Sequence, residues 1–308
     1  MLNLVLLFSC SSGPPAPVQA ADPPTQSPPV GSVSSVVEAP PEMPVQWPAR
    51  VVAIGDLHAD LPTTLGVLRL AGLVDEEGQW SGGDTVFVQT GDQTDRGPDS
   101  KEVLELLMAL QGQAAAAGGQ VLVLLGNHEV MNLGGDLRYV SPLDVQDFGS
   151  PEQRAQAFSA DGRLGVWLRE RPMVAQVGDT VFVHGGITPR FAEMGISGMN
   201  ALASGVVSGR LPAAQLGDDS PIWYRGYLQG AGACQELERA LESLGAQRMV
   251  VGHTTQRTGR IAVGCEGRVL GIDTGISSHY GAHAAAVEFR GGDAWVLYPD
   301  GTEDVPDP

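Results

Sequence analysis

TVFVQTGDQTDRGPD, Thr85 to Asp99, starts as an apolar, β-branched strand and then sets Asp92, Asp95, Arg96 and Asp99 at its mouth. A surface loop can be this polar, and Gly91, Gly97 and Pro98 are ordinary turn formers. What decides the matter is recurrence. RVVAI (Arg50 to Ile54) runs into GDLHAD, VLVLL into GNHE, VFV into HGG and MVV into GHT. Five apolar runs thus end in glycine beside Asp, Asn or His, all of them metal-capable side chains. In layered α/β proteins, ligands collect outside strand ends, where loops from separate strands converge.

The intervening segments agree with such a fold. Asp60 is placed to cap a helix with Pro62 in its first turn and Leu61, Leu65 and Leu68 along one face. Ser100 begins a helix on which Val103, Leu107, Leu110 and Ala114 recur at helical spacing, and Gly118 and Gly119 stop it. Later apolar runs, TVFVH, RMVVGH and RVLGID, are again bounded by glycine. No internal repeat is present.

With 308 residues, 43% of them hydrophobic, the chain can bury a substantial core. A net charge of −18 argues against a nucleic-acid partner, whose phosphates would be repelled by most of the surface. Phosphate chemistry would need a local patch of positive charge.

The first fifty residues differ in kind. Half of the 22 prolines lie before Arg50, and no Lys or Arg precedes it, so residues 11–48 are expected to be an extended Pro/Ser-rich linker. Ahead of them LNLVLLFSC is a short apolar run, too short to span a bilayer. LFSCSS resembles the lipobox of bacterial lipoproteins, although no basic residue follows Met1 and Phe8 is larger than the residue usual there. That resemblance implies residues 1–10 as a signal segment, lipid on Cys10, and export to the periplasm on a membrane anchor. Cys234 and Cys265 then remain as an even pair in an oxidising compartment. A disulfide and two separate buried thiols both stay open.

The order GDxHG, GDxxDRG, GNHE, HGG, GHT resembles the calcineurin-like metallophosphoesterases, and within them the phosphoprotein phosphatases. GGDLRYVSP at Gly134, DGRLGVWLRERP at Asp161, PIWYRGY at Pro221 and GRVLGIDTGISSHYGAHAAA at Gly267 are similar to the Shewanella-like bacterial-type phosphatases. The resemblance runs from Arg50 to Tyr298, with one departure: the GDxHG glycine is Ala59. It implies an α/β (α+β) four-layer fold, a central β-sandwich flanked by helices, over residues 49–300, with an acidic solvated tail at 301–308.

The resemblance also implies a binuclear site. Asp56, His58 and Asp92 would hold one divalent metal, and Asp92, Asn127, His184 and His253 the other, with manganese expected and iron or zinc as alternatives. Oxygen and imidazole donors without cysteine suit these ions. Two such metals, about 3.5 to 4 Å apart, share a carboxylate and a hydroxide that attacks phosphorus in line. Asp92 would be the bridge. His128 would protonate the leaving oxygen, oriented by Asp95, while Arg96, Arg225 and Tyr280 would meet the substrate phosphate. Glu129 is expected to brace the loop and Asp99 and Ser100 to cap a helix, whereas His279 and His283 receive no role. The expected activity is hydrolysis of phosphomonoesters on protein; the competing readings are a dinucleoside polyphosphate hydrolase and a non-catalytic, lipid-anchored module.

Overall fold

The computed structural model describes residues 48–308 apart from 231. Cys10, the expected lipidation site, and nearly all of the expected 11–48 linker therefore lie outside the described residues.

Two mixed sheets form the centre. The first contains β1 (Val51–Ile54), β2 (Val86–Gln89) and β3 (Gln120–Val123). The second contains β4 (Val174–Val177), β5 (Thr180–Val183), β6 (Arg248–Val251), β7 (Ala262–Gly264) and β8 (Val269–Gly271). β9 (Ala286–Arg290), β10 (Asp293–Tyr298) and β11 (Gly301–Val305) complete the first sheet, whose order is β11-β10-β9-β1-β2-β3. The order of the second is β4-β5-β6-β8-β7. β1, β2 and β3 are parallel, as are β5, β6 and β8, so their C-terminal ends point the same way within each sheet. Every residue of β1, β2, β5 and β6 is buried, which is why these strands are continuous apolar runs rather than alternating ones.

The sheets pack face to face through Val51, Ala53 and Val88 on one side and Phe182, Val250 and Leu270 on the other, with the Phe182 and Phe289 rings edge to face at 5.9 Å. Helices α1 (Leu61–Leu70) and α2 (Ser100–Ala116) cover the first sheet; α3 (Asn127–Leu133) begins at the site. A helical lobe follows: α4 (Pro142–Asp147), α5 (Pro151–Phe158) and α6 (Arg163–Arg169). α7 (Pro189–Ala192), α8 (Gly195–Val207), α9 (Gly226–Gln229) and α10 (Ala233–Leu244) cover the second sheet. This is the four-layer sandwich that the motif order implied. Among the described residues no helix is long and apolar enough to cross a membrane.

Local signals explain the helix ends. Asp60 accepts from the Thr63 amide at 3.1 Å to start α1, and Val103, Leu107, Leu110 and Ala114 form the buried stripe of α2. Two expectations need correction. Asp99 occupies the N-cap position of α2 but makes no side-chain cap there; its Oδ2 accepts instead from the Leu61 amide of α1 at 2.9 Å. Nor is the acidic 301–308 segment only a solvated tail. Gly301–Val305 pairs antiparallel with β10 through a two-residue turn at Pro299 and Asp300, and Val305 is buried. Its charges dominated the composition, while the Pro-Asp-Gly turn that returns the chain to the sheet was the local signal. The structure also closes the question left open at the cysteines: Cys234, at the start of α10, is bonded to Cys265, beyond β7.

Candidate active site

Each expected metal ligand, with His128, Asp95 and Arg96, sits just beyond a parallel strand, whereas Arg225 stands at the start of α9 and Tyr280 in a short turn well past β8. The strand-end loops are stitched together by backbone. The Leu57 and His58 amides both donate to the Asp92 carbonyl at 3.0 Å. Glu129 accepts from the amides of Asp92, Gln93, Thr94 and Gly126 and from the Thr94 hydroxyl, at 2.8 to 3.1 Å, so one carboxylate joins the β2 loop to α3. Glycines precede ligands for a steric reason. A Cβ at Gly126 would collide with Asp92 Oδ1, and one at Gly252 with Asp56 Oδ1.

His58, Ala59, Asp92, Asp95, Arg96 and His253 all have positive φ, between 47° and 70°. Left-handed non-glycine residues cost roughly 1–3 kcal/mol each and persist where the surroundings over-determine them. Ala59, the departure from the motif, is fully buried at φ 51°: the turn keeps its glycine-like backbone and loses no donor.

Two buried donor groups, His58–Asp92–His128 and Asp92–His184–His253, share Asp92. Asp92 Oδ2 lies 3.9 Å from His58 Nε2 and 3.2 Å from His184 Nε2, and its Oδ1 is fixed by the His128 amide at 3.0 Å. His184 Nε2 is also 3.0 Å from Asn127 Oδ1 and 3.1 Å from His253 Nδ1. Its Nδ1 faces the Thr90 carbonyl at 3.0 Å, which takes the ring proton and leaves the Nε2 lone pair for a cation. Asp56 falls outside the tight groups, yet its Oδ2 is 3.9 Å from His58 Nε2, within the same space, while both its oxygens accept from the His253 amide. His128 also reaches the first group, with its Nε2 3.8 Å from Asp92 Oδ2, while its Nδ1 pairs with Asp95 at 2.6 Å.

The electrostatics suit divalent cations. Asp56 and Asp92 are buried and their only ionic partners among the described residues are histidines. Burial, then Asp273 and Asp92, raise the Asp56 carboxyl well above its usual range. Burial also pushes up Asp92, but His184 and His128 beside it outweigh that and hold it well below. Burial lowers His58 to about 4 and, with His184 adding to it, His253 to about 2, so both rings are neutral and offer lone pairs. Neutral imidazole nitrogens, an amide oxygen and buried carboxylates with no Lys or Arg in ion-pair distance of Asp56 or Asp92 make a donor set for Mn, Fe or Zn.

Around this centre the structure places the remaining expected residues. Arg96 has its guanidinium 4.0 Å from the centroid of the Tyr139 ring and no carboxylate within ion-pair distance among the described residues. Arg225 is exposed, with Nη2 3.4 Å from His253 Nδ1, and the half-buried Tyr280 ring lies 5.0 Å from that of His58. His279 and His283 join neither donor group. Sequence reasoning missed Asn132, which donates to Asp95 Oδ1 at 2.9 Å, and Tyr139, whose ring lies 5.1 Å from that of His128. Asn132 had a signal, since it stands one helical turn after His128 on α3. Tyr139 had none.

Residues 49–257 match the family model described as calcineurin-like phosphoesterase. The chain is 33% identical to Shewanella-like protein phosphatase 2 of Arabidopsis thaliana, over 75% of this chain and 72% of that protein. It is 28% identical to Shewanella-like protein phosphatase 1 of Plasmodium berghei, over 77% and 70%. Among solved structures it superposes on the cold-active protein-tyrosine phosphatase of a psychrophilic Shewanella species with a TM-score of 0.76 and 31% identity, covering 85% of this chain and 82% of that one. With the strand-end motifs meeting around a shared carboxylate, these likenesses assign the chain to the calcineurin-like phosphoesterase family, beside the Shewanella-like protein phosphatases, as a metal-dependent phosphatase.

Proposed function

We propose that the enzyme hydrolyses phosphomonoesters on protein, at phosphoserine, phosphothreonine or phosphotyrosine, with direct transfer of the phosphoryl group to water. The observation that carries this reading is the juxtaposition, at one mouth, of two donor groups sharing Asp92 with the Asp95–His128 pair and an unpaired Arg96. Asp56, His58 and Asp92 would hold one divalent ion and Asp92, Asn127, His184 and His253 the other. When bound, the two ions supply Lewis acidity to the phosphoryl oxygens and make water a better nucleophile.

The chain's own groups do the rest. Arg96 and Arg225 present guanidinium forks to the phosphoryl oxygens, and Tyr280 lines the entrance beside His58. As the new bond from water oxygen to phosphorus forms, the ester bond breaks on the opposite side. His128, held by Asp95, gives its proton to the departing oxygen. Both cysteines of the described chain are consumed in the disulfide, so neither serves as a nucleophile.

That disulfide also supports export to an oxidising compartment; lipid on Cys10 rests on the LFSCSS stretch alone. The decisive assay measures phosphate release from phosphoseryl and phosphotyrosyl peptides and from diadenosine tetraphosphate, with manganese, zinc or chelator. Turnover of the peptides that is lost on chelation is expected. Cleavage of the dinucleotide alone would replace the substrate assignment while leaving the metal site intact.

A further inference from the structure

Asp95 is completely buried, and its two oxygens are used differently. Oδ2 meets His128 Nδ1 at 2.6 Å, whereas Oδ1 accepts from Asn132 Nδ2 at 2.9 Å and lies 3.9 Å from Arg154 Nη2. Arg154 is only 2% exposed and comes from α5, in the helical lobe rather than the sandwich. Its Nε donates to Asp144 Oδ2 of α4 at 2.6 Å, and Asp144 Oδ1 accepts from the Ser100 amide at 2.9 Å, at the start of α2. Phe158 and Phe148 pack on the guanidinium at 4.5 and 5.7 Å and restrict its rotation. A continuous buried path thus runs from His128 through Asp95, Arg154 and Asp144 to α2.

A plain structural reading has Arg154 simply tying α5 to α4 through Asp144. That accounts for Nε and not for Nη2, which is buried without a hydrogen-bond acceptor and faces the Asp95 carboxylate. Burying a charge is costly unless its donors are used, and the group that Nη2 faces is the one that orients the proposed acid. We propose that Arg154 is a positioning residue for proton delivery: with Asn132 it occupies the Oδ1 side of Asp95, leaving Oδ2 as the oxygen that holds His128. The inference rests on the reading of His128 as the general acid. Arg154 touches no substrate, so its effect must appear in the step that needs the proton and nowhere else.

The test compares kcat/KM for a phosphoseryl peptide, whose alkoxide leaves poorly, with that for p-nitrophenyl phosphate, whose phenolate leaves unaided. Arg154→Met in the metal-loaded enzyme is expected to slow the peptide roughly ten- to a hundredfold, the usual scale for groups that orient a site residue. The aryl ester should change by less than about threefold. Arg154→Lys keeps the charge but cannot span both carboxylates, so it should fall between wild type and Met in the ratio of the two rates. In the background of His128→Ala, adding Arg154→Met should slow neither substrate further. Equal slowing of both substrates by the Arg154 variants, or additive losses in the double variant, would overturn the proposal. Should Arg154→Met fail to fold, Arg154→Lys decides alone, and a wild-type ratio in it rejects the idea. Equal slowing by His128→Ala itself would instead remove the acid role of His128, a separate failure.

Discussion

Glu129 accepts from four backbone amides and one hydroxyl while fully buried, so its two oxygens are both saturated. Replacing it by Gln turns one oxygen into an NH2 group that must face either the Asp92 and Gly126 amides or the Gln93 and Thr94 amides. Each buried donor left without an acceptor costs about 1–3 kcal/mol. Glu129→Gln should therefore lower the melting temperature by about 5 °C or more, at about 2–4 °C per kcal/mol for a domain of this size. A calorimetric scan with unchanged Tm would contradict this bracing role. Ala59 presents the opposite balance. Relief of its left-handed backbone by Ala59→Gly is worth about 1–2 kcal/mol. Loss of a buried methyl costs about 0.8 kcal/mol, and the added freedom of the unfolded chain a further 0.4–1 kcal/mol. The terms nearly cancel, so urea denaturation should show a change below about 1 kcal/mol, and a large gain would mean that the turn is strained beyond its φ.

At the scale of elements, the last strand decides more than its charge suggests. β11 covers the edge of β10, and the segment after it supplies the Pro306 carbonyl that accepts from Arg248 Nη2 at 3.1 Å. Deleting residues 301–308 would uncover the β10 edge and strip a buried guanidinium of a partner, so lower Tm and concentration-dependent aggregation are expected by light scattering. A truncated protein as stable as the whole would restore the solvated-tail reading. The disulfide acts on the neighbouring region by closing a loop of 31 residues between α10 and the β7–β8 hairpin. Constraint of the unfolded chain by a loop of that length is worth about 3–4 kcal/mol. Cys234→Ser with Cys265→Ser should lose that much by denaturant titration. These elements also mark the limit of what sequence conveys. The five strand ends were legible because each donor follows an apolar run directly and needs no partner to be recognised. Asp99 and Arg154 were not, since each is explained by a group distant in the chain, the Leu61 amide and the Asp95 carboxylate, whereas β11 had a local signal in its Pro-Asp-Gly turn that its charge concealed.

For the whole molecule, the sandwich brings acidic loops from both sheets together without a Lys or Arg in ion-pair distance of Asp56 or Asp92. Asp273, from beyond β8, and Glu129 add two more buried carboxyls; burial and then Asp92 raise Glu129, as burial and then Asp273 and Asp92 raise Asp56. The folded chain therefore gathers buried carboxyls at its centre, and bound cations would balance their charge. A ligand that binds only the folded state stabilises it by about 2.7 kcal/mol at a hundred times its dissociation constant. Two such ions should raise Tm by about 10 °C or more over the chelated protein. Asp92 is the one carboxylate common to both donor groups, so Asp92→Asn should abolish most of that metal-dependent rise and the activity with it. In the absence of metal the same variant should melt no higher than wild type, because His184 and His128 already favour the charged Asp92 in the folded chain. His58→Ala, at one group only, should keep about half of the shift by the same linkage. The measurement is a thermal scan of the three proteins across a manganese titration, with bound metal counted by atomic emission. An Asp92→Asn protein that still binds two ions and shows the full shift would mean that the two groups do not share a bridge.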